Sequence, residues 1–200
     1  NMNTSNPYEG ERRAGTVGFP LPGVELRICD PETGSQVPQG EIGVIEVKGR
    51  NVFKGYWGMP EKTAAEFRAD GFFITGDLAR IDEDGYVHIV GRAKDLIISG
   101  GYNIYPKEVE LALDEEEGVL ESAVIGVPHP DFGEGVVGVV VPRAGARLDE
   151  ERLRASLGGK LAKFKQPKRI FVVDELPRNT MGKVQKNALR DRFKDVFKAA

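Results

Sequence analysis

Three short segments of this 200-residue chain combine residue types that could handle anionic ligands. In Phe72-Phe73-Ile74-Thr75-Gly76-Asp77-Leu78 an apolar run leads into a glycine and a carboxylate. An aspartate just past a strand end, beside a residue without a side chain, can accept two hydrogen bonds from a diol such as a ribose. The same Gly-Asp pair is also ordinary turn chemistry. The second segment runs from Gly91 to Glu110 and joins the charged cluster Arg92-Ala93-Lys94-Asp95 to a β-like run, the pair Gly100-Gly101 and a helix start at Pro106. Two glycines let another chain or a thin ligand come close to the backbone, although a hairpin turn would use them as well. In the third, Leu176-Pro177-Arg178-Asn179-Thr180-Met181-Gly182-Lys183-Val184-Gln185-Lys186, a lysine follows a glycine in a loop leading to a basic helix. Such an ammonium is mobile, and by bridging a carboxylate and a phosphate it would neutralise charge developing in an acyl-phosphate transition state. Taken alone, Lys183 reads as one more cation of a solvated tail.

The elements that must position these segments fall into two patterns. Up to residue 92, short strands are expected at 15–19, 24–29, 40–47, 71–75 and 85–90, punctuated by Pro22-Gly23, Asp30-Pro31 and Pro38-Gln39-Gly40. Their regular spacing suggests a small barrel-like subdomain or a curled sheet, interrupted by one helix that starts at Pro60. From residue 93 the pattern changes to α+β, a short sheet with about three helices. The first helix begins at Pro106 with Val109, Ala112 and Leu113 on one face; strands follow at 121–127 and 135–141. A second helix would align Leu153, Leu157, Leu161 and Phe164, with Phe164 in the core; after a strand at 169–173, a last helix would align Leu189, Phe193, Val196 and Phe197. The seam near Gly91-Arg92-Ala93-Lys94 divides the chain into domains 1–92 and 93–200.

Charge follows that division. Residues 1–92 hold 10 basic and 14 acidic side chains, residues 93–200 hold 18 and 17, and residues 160–200 alone hold 12 and 4. A tail so cationic attracts polyanions such as nucleotides or CoA. Nucleic acid is not expected, because no aromatic platform is evident among Lys163, Phe164, Lys165, Lys168 and Arg169. No apolar run approaches the roughly 20 residues of a membrane span, so a soluble, cytoplasmic protein is expected. The single cysteine, Cys29, reads as sheet filler, and His88 and His129 lack partners at metal-ligand spacing, so no metal site is expected.

In this order and spacing the three segments resemble the AMP-forming acyl-CoA synthetase, luciferase and peptide-synthetase adenylation superfamily, over essentially the whole chain. Gly43-Val44-Ile45-Glu46-Val47-Lys48-Gly49, Asn51-Val52-Phe53-Lys54-Gly55-Tyr56-Trp57, the segment 177–187 and Asn1-Met2-Asn3-Thr4-Ser5-Asn6-Pro7 are most similar to bacterial malonyl-CoA synthetases. The resemblance implies a ligase that activates a small carboxylic acid with ATP as an acyl-adenylate, after which a small domain swings and CoA sulfur attacks. It implies that Asp77 binds the AMP ribose hydroxyls, that Arg92 is its partner on the ribose and phosphate side, and that Lys94 is the hinge. Ser99, Gly100 and Gly101 would line the pantetheine path, and Lys183 would be the catalytic lysine of adenylation.

It also implies that the phosphate loop, and the segment whose glutamate binds Mg2+, lie upstream of Asn1 in a large amino-terminal domain, with Met2 near the acyl pocket. Residues 1–92 would then be the last subdomain of that body and 93–200 the mobile domain, the whole inactive without the upstream part. Malonate is the expected acid; another short-chain acyl-CoA synthetase and a peptide-synthetase adenylation domain are the alternatives within the superfamily. A different reading is a non-catalytic regulatory module whose Lys183 is acetylated, with a lysine acetyltransferase and a deacetylase as partners.

Overall fold

The computed structural model describes residues 2–198; Asn1 lies outside the described residues, as do residues 199 and 200. The chain divides into two compact units, Asn1–Lys94 and Asp95–Ala200.

In the first unit, β1 (Thr4–Ser5) and β2 (Phe19–Pro20) form a two-stranded ribbon. The five-residue strand expected at 15–19 shrinks to β2, because Gly15 and Gly18 take positive φ of 78° and 75° and interrupt extended backbone. The main sheet is an antiparallel meander of β3 (Val24–Cys29), β4 (Gly43–Gly49), β5 (Phe73–Ile81) and β6 (Val87–Arg92), in that order. Among the described residues no barrel closes; the sheet is open, with β3 and β6 at its edges. Alternation along β3 and β4 turns Ile28, Ile45 and Val47 into one core with Ala79 and Val87.

Glu46, between Ile45 and Val47, must point the other way, and there it is fully buried. Its carboxylate accepts hydrogen bonds from Arg27 (2.7 Å from Nη2) and Arg68 (2.8 Å from Nε), so the buried charge is compensated. Burial alone would lower the Arg27 pKa; the hydrogen bonds to Asp70 and Glu46 outweigh it and raise it. Between β4 and β5, helix α1 (Pro60–Glu66) starts on its proline as expected and buries no residue. The chain around it is held by an edge-to-face cluster in which Phe53 meets Tyr56, Phe67 and Phe73 at ring separations of 5.0, 5.4 and 4.9 Å.

The second unit opens with the tight hairpin β7 (Ile97–Ser99) and β8 (Tyr102–Ile104), followed by α2 (Pro106–Asp114). The valine-rich strands β9 (Val119–His129) and β10 (Gly133–Pro142) pair antiparallel, β11 (Arg169–Val172) pairs parallel with β10, and β7 touches β10 at Gly133 and Ser99. Because side chains alternate, Val124, Val136 and Val140 join α2 (Val109, Leu113) and α3 (Glu150–Ser156, Leu153) on one face. Ile125, Val137 and Val139 face the other way and pack on Leu189 of α4 (Lys186–Phe193).

Two helices end early. The expected helix through Phe164 stops at Ser156 and gives way to a 3-10 turn over Leu157–Gly159, since Gly158-Gly159 supplies no side chain to continue it. Leu153, Leu157 and Leu161 are buried as expected, but Phe164 sits in a separate 3-10 turn and is 40% exposed. The last helix ends at Phe193, and Val196 and Phe197 reach the apolar cluster from the segment beyond it.

Candidate functional site

In the first unit the site is built by a bulge. Glu46 of β4 lies opposite Ile74 and Val44 lies opposite Leu78, so Thr75, Gly76 and Asp77 together face the single residue Ile45. The Thr75 hydroxyl donates to the Ile45 carbonyl at 3.0 Å and accepts the Asp77 N–H at 3.1 Å, and Gly76 adopts a φ of 73°. A bulge bends its strand and re-aims the side chains on it. Asp77 is therefore within β5, not past the end of a strand as its sequence suggested. It pairs across the sheet with Arg92, and its Oδ1 lies 2.8 Å from Arg92 Nε; the two side chains are 26% and 52% exposed. The sheet thus presents a carboxylate and a guanidinium side by side at its surface, one an acceptor for hydroxyls and the other a donor for anionic oxygen.

Lys94 is exposed in a 3-10 turn over Ala93–Asp95 and is the last residue of the first unit. The next residue, Asp95, is bound within the second unit by Arg190 of α4 at 2.7 Å.

Gly100 and Gly101 make the two-residue turn of the β7–β8 hairpin, with φ of 59° and 82°. Positive φ at both positions is the type I′ geometry that suits the twist of a hairpin. The Gly100 N–H donates to the Phe132 carbonyl at 2.9 Å, and a Cβ there would lie 3.1 Å from the Phe132 ring. At Gly101 a Cβ would meet nothing within 4 Å, while Ser99 is buried. Beside this turn the half-exposed Tyr102 stacks on Phe164 with ring centroids 4.5 Å apart and planes 24° apart. Lys168 places its ammonium 3.8 Å from the Phe132 ring centre, and Lys165 is held by Glu108 at 2.7 Å. The sequence reading missed this aromatic and cationic cluster because it assigned Phe164 to a helix core; the signal was Gly158-Gly159 followed by Lys163-Phe164-Lys165.

Lys183 occupies a turn that is far better held than a mobile loop. Arg178 and Val184 form an antiparallel bridge, Gln185 N–H donates to Pro177 carbonyl at 2.7 Å, and Asn179 N–H donates to Lys183 carbonyl at 2.9 Å. After the turn, Lys186 at the start of α4 pairs with the buried Glu110 of α2 at 2.6 Å. The Lys183 side chain is exposed and makes no ion pair among the described residues. The structure therefore brings Asp77 to Arg92, and Ser99, Gly100 and Gly101 to the Tyr102–Phe164 stack, while Lys183 stands on its own turn in the second unit.

Other candidate side chains are occupied structurally. Cys29 is fully buried, and burial, then the neighbouring Glu46 charge, pushes its thiol pKa up. His88 lies 2.8 Å from Asp82, and His129 packs between Phe132 and Phe197 at 4.8 Å from each. Among the described residues no group of three or more His, Cys, Asp or Glu could hold a metal ion, and no helix is long and apolar enough to cross a membrane.

Residues 2–57 match the family model described as AMP-binding enzyme, and residues 108–183 match the AMP-binding enzyme C-terminal domain. The chain belongs to the AMP-binding enzymes. Within that family it is 49% identical over 181 residues to feruloyl-CoA synthase of an Amycolatopsis species, covering 90% of this chain and 36% of the relative. It is 42% identical over 200 residues to malonate–CoA ligase of Arabidopsis thaliana, covering 94% and 32%. The crystal structure of ATP-bound MatB from Rhodopseudomonas palustris superposes with a TM-score of 0.94 at 65% identity, over 98% of this chain and 39% of that one. The chain thus spans about a third of the length of the curated AMP-binding relatives it matches. Lys183 lies within the stretch that matches the C-terminal domain.

Proposed function

We propose that this chain is the nucleotide- and CoA-handling portion of an ATP-dependent, AMP-forming acid–thiol ligase, and that Lys183 acts in its first half-reaction. The observation that supports this most is the exposed Lys183 ammonium on a hydrogen-bonded turn, within the stretch that matches the C-terminal domain. In that half-reaction a carboxylate oxygen forms a bond to the α-phosphorus of ATP and pyrophosphate leaves. Lys183 neutralises the anionic carboxylate and phosphate oxygens as they converge. In the second, the CoA sulfur bonds to the acyl carbon and AMP leaves.

On the same reading Asp77 accepts the ribose hydroxyls and Arg92 donates to the ribose and phosphate oxygens, each orienting the other through their ion pair. Lys94, at the sequence boundary of the two units, is the hinge; residues 1–92 belong to the large body and 93–200 form the mobile domain. Ser99, Gly100 and Gly101 border the pantetheine path, because the turn carries no side chain to obstruct it. The Tyr102–Phe164 stack and the lysines near it suit the purine and phosphates of CoA. Among the described residues no group of three or more His, Cys, Asp or Glu could hold a metal ion, and we assign the Mg2+ ligand to the upstream portion. Malonate is the proposed acid, on overall likeness and on the malonate–CoA ligase among the relatives; another short-chain acid is the alternative. The cytoplasm is the proposed location.

Whole enzyme given ATP, CoA and a panel of acids should release AMP and pyrophosphate with the thioester, fastest with malonate. Release of ADP and phosphate would reject the ligase class, and preference for ferulate would reject malonate. The 200-residue chain alone should show no acid-dependent ATP–pyrophosphate exchange.

A further inference from the structure

We infer that Asn179 is a positioning residue for Lys183, and that its carboxamide sets the rate of the adenylation half-reaction through the backbone of that lysine. This rests on the role proposed for Lys183. Four hydrogen bonds of the turn converge on Asn179. Its side-chain oxygen accepts the N–H of Met181 at 3.0 Å and of Lys183 at 2.9 Å. Its own N–H donates to the Lys183 carbonyl, and its carbonyl accepts the Gly182 N–H, both at 2.9 Å. The peptide groups on both sides of the Lys183 Cα are thereby fixed by one residue. Only a short side chain with an acceptor of two lone pairs can reach both N–H groups.

A second clamp fixes the base of the same turn. Arg178 donates to the Gly182 carbonyl at 2.7 Å and pairs with Glu121 of β9, so the turn is tied to the central sheet through Arg178 while Asn179 orders its tip. Lys183 is left with its side-chain torsions as its only freedom. An ammonium on a long flexible stem gains most from a fixed root, because each backbone state adds a new cone of positions that miss the reacting oxygens. The cost of losing that root falls on the step that uses the ammonium, and the thioester-forming step is untouched.

The test compares Asn179→Ala, Asn179→Asp and Lys183→Ala in the whole enzyme. Three readouts are needed: acid-dependent ATP–pyrophosphate exchange, thioester formation from pre-made acyl-adenylate, and thermal melting. Asn179→Ala should slow exchange about tenfold to a hundredfold, the scale on which displacement of a positioned group acts. Thioester formation should change less than about twofold, on the same argument that this step does not use the group. Asn179→Asp keeps the acceptor and should restore most of the exchange. Undiminished exchange in Asn179→Ala, or equal loss of both half-reactions, or no rescue by Asn179→Asp, would overturn the assignment. If Lys183→Ala itself retains exchange, the role of Lys183 fails first, and the two failures are told apart by that variant.

Discussion

An ion pair between Lys186 and Glu110 anchors the base of α4. Lys186 and Glu110 side chains are 19% and 11% exposed, and their charged atoms lie 2.6 Å apart. Glu110 Oε1 also accepts the Val124 N–H at 3.0 Å, so Lys186→Met leaves a nearly buried carboxylate with one backbone donor and no counter-charge. Methionine keeps the apolar stem in place, which confines the change to the ammonium. At an effective dielectric constant near 20 the lost attraction is about 6 kcal/mol before desolvation is set against it. Removing one partner of a buried pair costs about 3 kcal/mol net. Urea unfolding followed by circular dichroism should therefore show the transition of Lys186→Met moved down by about 1–3 M, given slopes of about 1–3 kcal/mol per M. The double variant Lys186→Met/Glu110→Gln should recover part of the loss, since no unpaired charge is then buried. A shift of less than about 0.5 kcal/mol, the ordinary size of a surface substitution, would reduce the pair to a surface contact.

Gly18→Ala should cost about 2 kcal/mol or more, because alanine is strained at a φ of 75° and its Cβ would lie 2.1 Å from the Ser5 carbonyl oxygen; a thermal melt reads it. The Asp82 carboxyl, through hydrogen bonding first to His88 and then to Tyr86 N–H, is held down to about 2. Its folded pKa is depressed, so its contribution to stability is present above the unfolded value near 4 and is lost as pH falls from about 4 to about 2. Stability measured over that window should fall less steeply in Asp82→Asn. Phe164→Ala should raise the KM for CoA about fivefold to a hundredfold, the range of a lost base-stacking contact, and leave ATP–pyrophosphate exchange unchanged.

Much of the second unit is legible because its signals are local. Pro106 and the spacing of Val109, Ala112 and Leu113 define α2 without help from the rest of the chain, and the near-continuous apolar runs of β9 and β10 fit only a sheet covered on both faces. Asp77 was misplaced for the opposite reason. Its surroundings depend on a bulge pinned by Thr75 to the distant Ile45 and on register with Arg92, and no local pattern encodes either. Whether the meander closed was likewise a question of long-range pairing. Phe164 had the right spacing for a helix face, but the two glycines before it outweighed the period. At Lys183 the chemistry is legible and the mechanics are not: Gly182 suggests freedom, whereas Asn179 ties the turn around it. Asn179, four residues upstream, is of a type that favours Asx-turns, but its residue type alone does not show that the N–H groups of Met181 and Lys183 both meet its oxygen.

The role of Lys183 is tested most directly by Lys183→Ala in the whole enzyme, with the two half-reactions assayed separately. Acid-dependent ATP–pyrophosphate exchange should be abolished, while thioester formation from pre-made acyl-adenylate and CoA proceeds at nearly the parental rate. Equal loss of both half-reactions, or exchange that survives the substitution, would rule out that role for Lys183.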